Sequence, residues 1–257
     1  MSDPKHDDEI LDQFTRQAVP FASAQSIRSD EVLNRIVQIA ETGPKDTVLD
    51  VACGPGLLAC AFARVARLAI GIDMTPAMLE QARKEQQQRS LTNVSWQQGD
   101  VYSLPYPDAH FSIVSSRFAF HHLLEPRVAL QEMKRVCRPG GRIVVADSAP
   151  AREKADAFNA MEKLRDPSHA RALPPEEMVE LFVQSGLEPP RAEVFRHELE
   201  MEELLARSFP RAGDDGRIRK IFSDSIATDA LDMATRAENG KIYCTFPLKV
   251  FAGTVQN

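Results

Sequence analysis

Val48-Leu49-Asp50-Val51-Ala52-Cys53-Gly54-Pro55-Gly56-Leu57-Leu58-Ala59 reads as a strand that enters a Gly-x-Gly turn and leaves as a helix. Glycine lets the chain bend sharply there and lets backbone approach a ligand that a Cβ would exclude. Gly54, Gly56 and Ala59 satisfy a loose GxGxxG/A pattern, which on its own equally suggests a nicotinamide dehydrogenase. Asp50 argues against that: a carboxylate just ahead of the glycines repels a pyrophosphate but suits the ammonium of an amino-acid cofactor.

Further apolar, β-rich runs follow at 68–73 (LAIGID), 94–100 (VSWQQGD), 111–117 (FSIVSSR) and 141–147 (GRIVVAD), with the first at 47–52 (TVLDVA). Helical stretches separate them, so the chain is α/β: a doubly wound, mostly parallel, seven-stranded sheet in which TVLDVA and RIVVAD are central strands buried on both faces. Thr75-Pro76 opens a helix over 76–90 with a Thr N-cap and proline at the first helical position. A second helix starts at Pro126 and stops before Pro139-Gly140-Gly141. Helices are then expected over 151–166, 174–186, 200–208 and 214–237, with a strand at 191–199. The C-terminal run KIYCTFPLKVFAGTVQ is expected to give one or two strands near the sheet edge, because Pro247 removes a ladder donor. The expected organisation is an N-terminal helical cap at 1–40 and a domain at 41–257 whose lid segments lie at about 148–170 and 200–237.

Three acids end three successive strands: Asp50, Asp73 and Asp100. In a doubly wound sheet those ends converge on one crevice, where carboxylates accept hydrogen bonds from ribose hydroxyls. His121-His122 and Arg117 end the fourth strand and Asp147 the fifth, at the same crevice. Two adjacent histidines on a helix face different ways, so one of them is expected to face the site. Either can orient an acceptor or take its proton, with Asp147 orienting it or acting as base itself. Arg117 can hold a carboxylate bidentately.

The segments VLDVACGPG, IGIDMTPAMLEQAR, GDVYSLPYPDAHFSIV, and HHL followed by RVCRPGGRIVVAD together resemble a class I S-adenosylmethionine-dependent methyltransferase, most similar to the branch that includes the ubiquinone/menaquinone C-methyltransferases. The resemblance covers residues 10–190. It implies a Rossmann-like fold and S-adenosylmethionine as cofactor. Asp50, Ala52 and the Gly54–Gly56 loop would hold the methionine moiety, Asp73 the ribose with Met74 against the adenine, and Asp100 with the Val101 backbone the adenine edge. Ser112 departs from the family, which commonly has Asp at this structural position. Arg165-Asp166-Pro167-Ser168-His169 resembles a lid motif of some relatives. Phe14, Phe21 and Tyr106 can shelter a sulfonium with their ring faces.

Composition limits the partners. With 31 Lys+Arg against 37 Asp+Glu and a net charge of −6, the basic footprint of a nucleic-acid binder is missing. No apolar run reaches the ~20 residues that span a bilayer, and the acidic N-terminus is unlike a signal peptide. The four scattered cysteines offer no metal-ligand or disulfide spacing, which suggests a reduced, cytoplasmic setting. The expected partner is a small acceptor, fairly apolar because the lid carries Phe158, Met161, Leu164, Leu204, Phe209 and Phe222, with a homodimer as an option and no metal. An RNA or protein methyltransferase, a nicotinamide oxidoreductase and a non-catalytic binding protein are the alternatives. The first is disfavoured by charge; the second would not bind S-adenosylmethionine; the third would never release S-adenosylhomocysteine.

Overall fold

A computed structural model describes residues 3–24 and 27–256. Its sheet is built from β1 (Thr47–Val51), β2 (Leu68–Asp73), β3 (Val94–Gln98), β4 (Phe111–Arg117), β5 (Cys137–Ser148), β6 (Arg191–Glu200), β7 (Arg236–Glu238) and β8 (Lys241–Thr254). The strand order is β3-β2-β1-β4-β5-β8-β6, with the three-residue β7 pairing on the far end of β8 as an eighth strand. β1 to β5 run parallel, and β8 runs antiparallel to both β5 and β6. This is the doubly wound, Rossmann-like sheet expected from the alternating pattern.

Helices α1 (Pro4–Ser23) and α2 (Asp30–Ile39) precede the sheet; α3 (Leu57–Ala63), α4 (Pro76–Gln88), α5 (Pro126–Val136), α6 (Ala155–Arg165), α7 (Pro175–Gln184), α8 (Met201–Ala206) and α9 (Asp214–Thr228) follow in chain order. Alternation along β1 shows how both faces are covered: Val48 joins a core with Leu33 and Ile36 of α2 and Phe62 of α3, whereas Leu49 joins the opposite core with Leu130 and Met133 of α5 and Phe182 of α7. Ser112 takes over the joint between β1 and β4: its backbone N–H donates to Thr47 Oγ1 and its Oγ to the Thr47 carbonyl. Among the described residues no helix is long and apolar enough to cross a membrane.

Several boundaries differ from the sequence reading. α5 ends at Val136, and Cys137-Arg138-Pro139-Gly140-Gly141 already belongs to β5, whose Cys137 pairs with Phe111. Pro-Gly-Gly therefore shapes the strand entry, with Gly140 at φ 69°, and does not itself stop the helix. The helix expected over 214–237 ends at Thr228, because Asp229 turns left-handed (φ 47°) and its carboxylate accepts the N–H groups of Met233 and Ala234. The C-terminal run is one fourteen-residue strand, second from the sheet edge between β5 and β6, near the edge as expected. Pro247 is tolerated because it lies one position beyond the last β5 pair, Ser148 with Leu248. There its carbonyl still accepts from Ala149 at 2.8 Å, and only the donor on that side is lost. Phe158, Met161, Leu204 and Phe222 form a third core with Phe246 and Leu248 of β8.

Candidate functional site

At the carboxyl ends of β1, β2 and β4 a cleft encloses about 1080 Å³ of space open to solvent, room for a nucleoside-sized ligand. Asp50, Ala52, Gly54, Asp73, Met74, Asp100, Val101, Arg117 and His122 all line it. The strand ends thus meet as the sequence reading requires.

Ala52 and Gly54 both take positive φ (53° and 52°), a turn that aims backbone at the cleft. Asp73 braces this loop: its Oδ2 accepts from Gly54 N at 2.7 Å and its Oδ1 from Thr75 N at 2.9 Å. The Thr75 hydroxyl also serves Asp73, so the expected side-chain cap of α4 does not form. With three of its four acceptor sites taken, the carboxylate keeps one lone pair for a ligand hydroxyl. Gly56 does not line the cleft. A Cβ there would lie 2.4 Å from the Trp96 ring and 2.8 Å from Ala82 Cβ, so this glycine serves the φ of 76° and the packing under α3, not a ligand.

Asp50 is buried, and its Oδ1 accepts from Ser115 Oγ at 2.8 Å. Burial pushes its pKa up to about 7, against the opposing pull of Ser115 and the Arg117 charge. A carboxylate so desolvated is stabilised by a cationic ligand group. Arg117 faces the same space. One guanidinium nitrogen donates to the Ile27 carbonyl at 2.9 Å, Cζ lies 4.4 Å from the Phe118 ring centroid, and the buried Nε has no hydrogen-bond partner among the described residues. That leaves a donor beside Asp50 for a ligand carboxylate. Phe118 itself sits at φ 57°, an uncommon conformation for a bulky residue.

The helical cap expected at 1–40 forms the roof, but the contacts that fasten it were not foreseen. α1 lays Asp3, His6, Asp7, Ile10 and Phe14 over the cleft. It is tied down by His6 Nε2 donating to the His122 carbonyl (2.7 Å), Gln13 to the Phe209 carbonyl (3.1 Å) and Gln17 to Asp166 Oδ2 (3.0 Å). These partners lie far along the chain, so no local pattern announces them.

A second chamber, about 600 Å³ including solvent-open space, adjoins the first and shares Phe14, Phe21, Phe118 and His122 with it. His121 and His122 both line this chamber, contrary to the expectation that only one would face the site. They belong to a 3₁₀ turn, Phe120–His122, whose ring centroids lie 4.2 Å apart. Asp147 is buried and receives His121 in two ways: its Oδ1 lies 2.5 Å from Nδ1 and its Oδ2 accepts the His121 backbone N–H, while Ser148 N also donates to Oδ1. With Nδ1 engaged, His121 Nε2 has no protein partner among the described residues, and the residue lines the chamber.

The two rings are pushed apart in pKa. Burial lowers that of His121, but the Asp147 charge and hydrogen bond outweigh it and the net direction is up. Burial, then the neighbouring His121, drives His122 down to about 3. The rest of the chamber is more polar than expected: Gln17, Ser148, Glu162, Arg165, Asp166 and Arg207 share it with Leu199, Leu204 and Phe246. Of the apolar lid residues named from sequence, Leu204 reaches the chamber, while Phe158, Met161 and Phe222 are spent in the third core. Arg165 is locked to Glu162 through both Nε and a terminal nitrogen, and His169 lies buried against Asn159. Tyr106 is not at the site; it packs against His110 and Phe111.

The methyltransferase domain family matches residues 49–145, the span from β1 to β5 that carries the acids and the histidine pair. The uncharacterized methyltransferase YcgJ of Bacillus subtilis (strain 168) is 36% identical over 160 residues, 62% of this chain and 63% of its own. A 2-phytyl-1,4-naphtoquinone methyltransferase of Synechococcus elongatus is 34% identical over 108 residues, 40% of this chain and 46% of its own. The chain thus spans less than two thirds of the length of these curated relatives. In solved structures, YcgJ superposes with TM-score 0.79 and 26% identity, covering 88% of this chain and 99% of that one. The BH2331 protein of Bacillus halodurans C-125 does so with TM-score 0.80 and 26% identity, covering 88% and 100%.

Proposed function

Because residues 49–145 match the methyltransferase domain family, we propose that this chain is a class I S-adenosylmethionine-dependent methyltransferase that transfers the methyl group of S-adenosylmethionine to a small acceptor that loses a proton in the reaction. The cofactor supplies an electrophilic methyl on a good leaving group, so the protein's work is alignment, exclusion of water and proton removal. The cleft fits that cofactor chemically. Asp50 offers a buried carboxylate to an ammonium, Arg117 a spare donor to a carboxylate, Asp73 its remaining lone pair to a ribose hydroxyl, Met74 an apolar contact, and Asp100 and Val101 a polar edge for the base.

The observation that carries the reading is the His121–Asp147 pair, 2.5 Å apart, of which His121 lines the second chamber and Asp147 stands buried behind it. Asp147 holds the proton on Nδ1 and leaves Nε2 as a base of raised pKa. A hydroxyl, phenolic or enolic acceptor needs such a base. A neutral aromatic carbon would not need one before the methyl moves. The acceptor is therefore read as a protic small molecule, held between the apolar side chains Phe14, Leu199 and Phe246 and the polar ones around Arg165.

The test is calorimetry with S-adenosylmethionine and S-adenosylhomocysteine, followed by a screen of small hydroxylated acceptors that reads S-adenosylhomocysteine release. Micromolar binding of both, with release stimulated by an acceptor, is the expected result. Failure of the protein to bind either compound overturns the reading.

A further inference from the structure

The segment Arg165-Asp166-Pro167-Ser168-His169 stands out in the sequence yet offers no group to the cofactor cleft. Its contacts converge on the histidine pair. The backbone N–H groups of Ala170 and Arg171 both donate to the His121 carbonyl, at 2.8 and 2.9 Å. His122 Nδ1 lies 3.1 Å from the Ser168 carbonyl and 3.1 Å from Ser168 Oγ. That hydroxyl already gives its proton to Asp166 Oδ1 at 2.6 Å, and Ser168 N donates to the same oxygen at 2.9 Å. The other Asp166 oxygen receives Gln17 from α1.

Proton counting fixes the ring. A carbonyl oxygen can only accept, and a hydroxyl that has spent its proton on a carboxylate can only accept as well. Both Ser168 contacts therefore require a hydrogen on His122 Nδ1, which leaves Nε2 bare in the neutral ring. Nε2 has no protein partner among the described residues, and the ring lines both the cofactor cleft and the second chamber.

We propose that Asp166 is a positioning residue: by holding the Ser168 turn, it fixes His122 as a neutral, Nδ1-protonated hydrogen-bond acceptor at the junction of the cofactor cleft and the acceptor chamber. The two adjacent histidines then divide the labour. His121, backed by Asp147, takes the acceptor's proton; His122, backed by Asp166 and Ser168, orients the acceptor and adds no positive charge where a sulfonium must sit. The charged and titratable groups around His122 are His121 on its own turn, Asp147 from β5, Glu162 and Arg165 from α6, Asp166 and His169 from the following loop, and His6 from α1. Glu162 and Arg165 neutralise each other, and burial with His121 alongside opposes a second positive ring. The assignment rests on the proposed function for what His122 touches, but its signature needs no acceptor.

The experiment is ¹⁵N spectroscopy of histidine-labelled full-length protein bound to S-adenosylhomocysteine, with His122 assigned through a His122→Gln variant. Wild type is expected to carry its proton on Nδ1, with Nε2 bare and unchanged from pH 5 to 8. Asp166→Ala is expected to move the proton to Nε2 in most molecules. Asp166→Asn, which still accepts from Ser168, and Ser168→Ala, which keeps the carbonyl, are expected to retain the wild-type pattern. Calorimetry with S-adenosylhomocysteine shows that each variant is folded. A wild-type His122 protonated on Nε2, or titrating near neutrality, overturns the assignment even if Asp166→Ala does not fold, and so does an unchanged pattern in a folded Asp166→Ala. Failure of wild type to bind S-adenosylhomocysteine strikes the proposed function instead.

Discussion

His6 Nε2 donates to the His122 carbonyl at 2.7 Å, a bond between residues 116 positions apart. It fastens the first turns of α1 to the turn that carries both histidines, and Phe14 rests edge-on 4.9 Å from the His122 ring. The same helix covers the cofactor cleft, so exchange of a nucleoside-sized ligand requires α1 to lift. Removing one buried hydrogen bond costs about 1 kcal/mol. His6→Ala is expected to speed amide hydrogen exchange across residues 4–23 about fivefold, with S-adenosylhomocysteine restoring protection. Exchange in α1 unaffected by either change would contradict its role as a moving roof.

Asp50 gives the cofactor site a proton linkage. Burial raises its carboxyl to about 7 in the free protein, and an ammonium placed beside it lowers that value again. Binding therefore releases a proton whenever the free protein holds one. Affinity for S-adenosylmethionine is expected to be flat above pH 7 and to weaken as pH falls below it, by up to about tenfold per unit. Calorimetry in two buffers of different ionisation enthalpy should record that proton at pH 6.5. Asp50→Asn should abolish both the release and the slope, with affinity reduced by about a hundredfold or more, corresponding to loss of a buried ion pair of roughly 3 kcal/mol.

Much of this cleft was legible because its residues sit on local patterns. Asp50 and Asp73 lie at the ends of the apolar strands β1 and β2 and Asp100 just beyond the more polar β3, and the topology of a doubly wound sheet brings such ends together. A cap at 1–40 was expected, but its fastenings and the second chamber were not legible, because His6, Gln17 and Asp166 are polar residues whose partners lie more than a hundred positions away and whose burial no period announces. Lid hydrophobics misled for a related reason. Phe158 and Phe222 read as acceptor contacts, but β8 turned out to be long, and its far half needed a core of its own.

Proton removal separates the two halves of the site. His121→Ala and Asp147→Asn are expected to leave S-adenosylhomocysteine affinity within about threefold of wild type while slowing turnover of a protic acceptor by about 10²- to 10⁴-fold. The sign of the pH effect follows from Asp147. Its charge raises His121, so wild-type turnover climbs as pH rises through a value above 6.5, where the ring loses its proton. Asp147→Asn withdraws that charge and should move the climb to lower pH while reducing the plateau. A variant that lost turnover and cofactor affinity together would place His121 in the cofactor site instead. The same raised value makes a stability contribution that is present below pH 6.5 and disappears as pH passes the folded value.

The two glycines of the opening turn should fail in different ways when replaced by alanine. At Gly54 the added methyl meets nothing nearer than the Met78 sulfur at 4.0 Å, so the cost is the left-handed backbone alone, about 1 kcal/mol. At Gly56 the same strain is joined by contacts of 2.4 Å and 2.8 Å with Trp96 and Ala82. Trp96 cannot step aside freely, because its Nε1 donates to Gln86 Oε1 at 2.8 Å. Overpacking adds about 1–3 kcal/mol. Gly56→Ala is thus expected to lower Tm by roughly 5–15 °C and Gly54→Ala by only about 2–4 °C. Cofactor affinity should show the reverse order in the variants that stay folded, since only Gly54 lines the cleft. Equal thermal losses at the two positions would mean that Gly56 is not a packing residue.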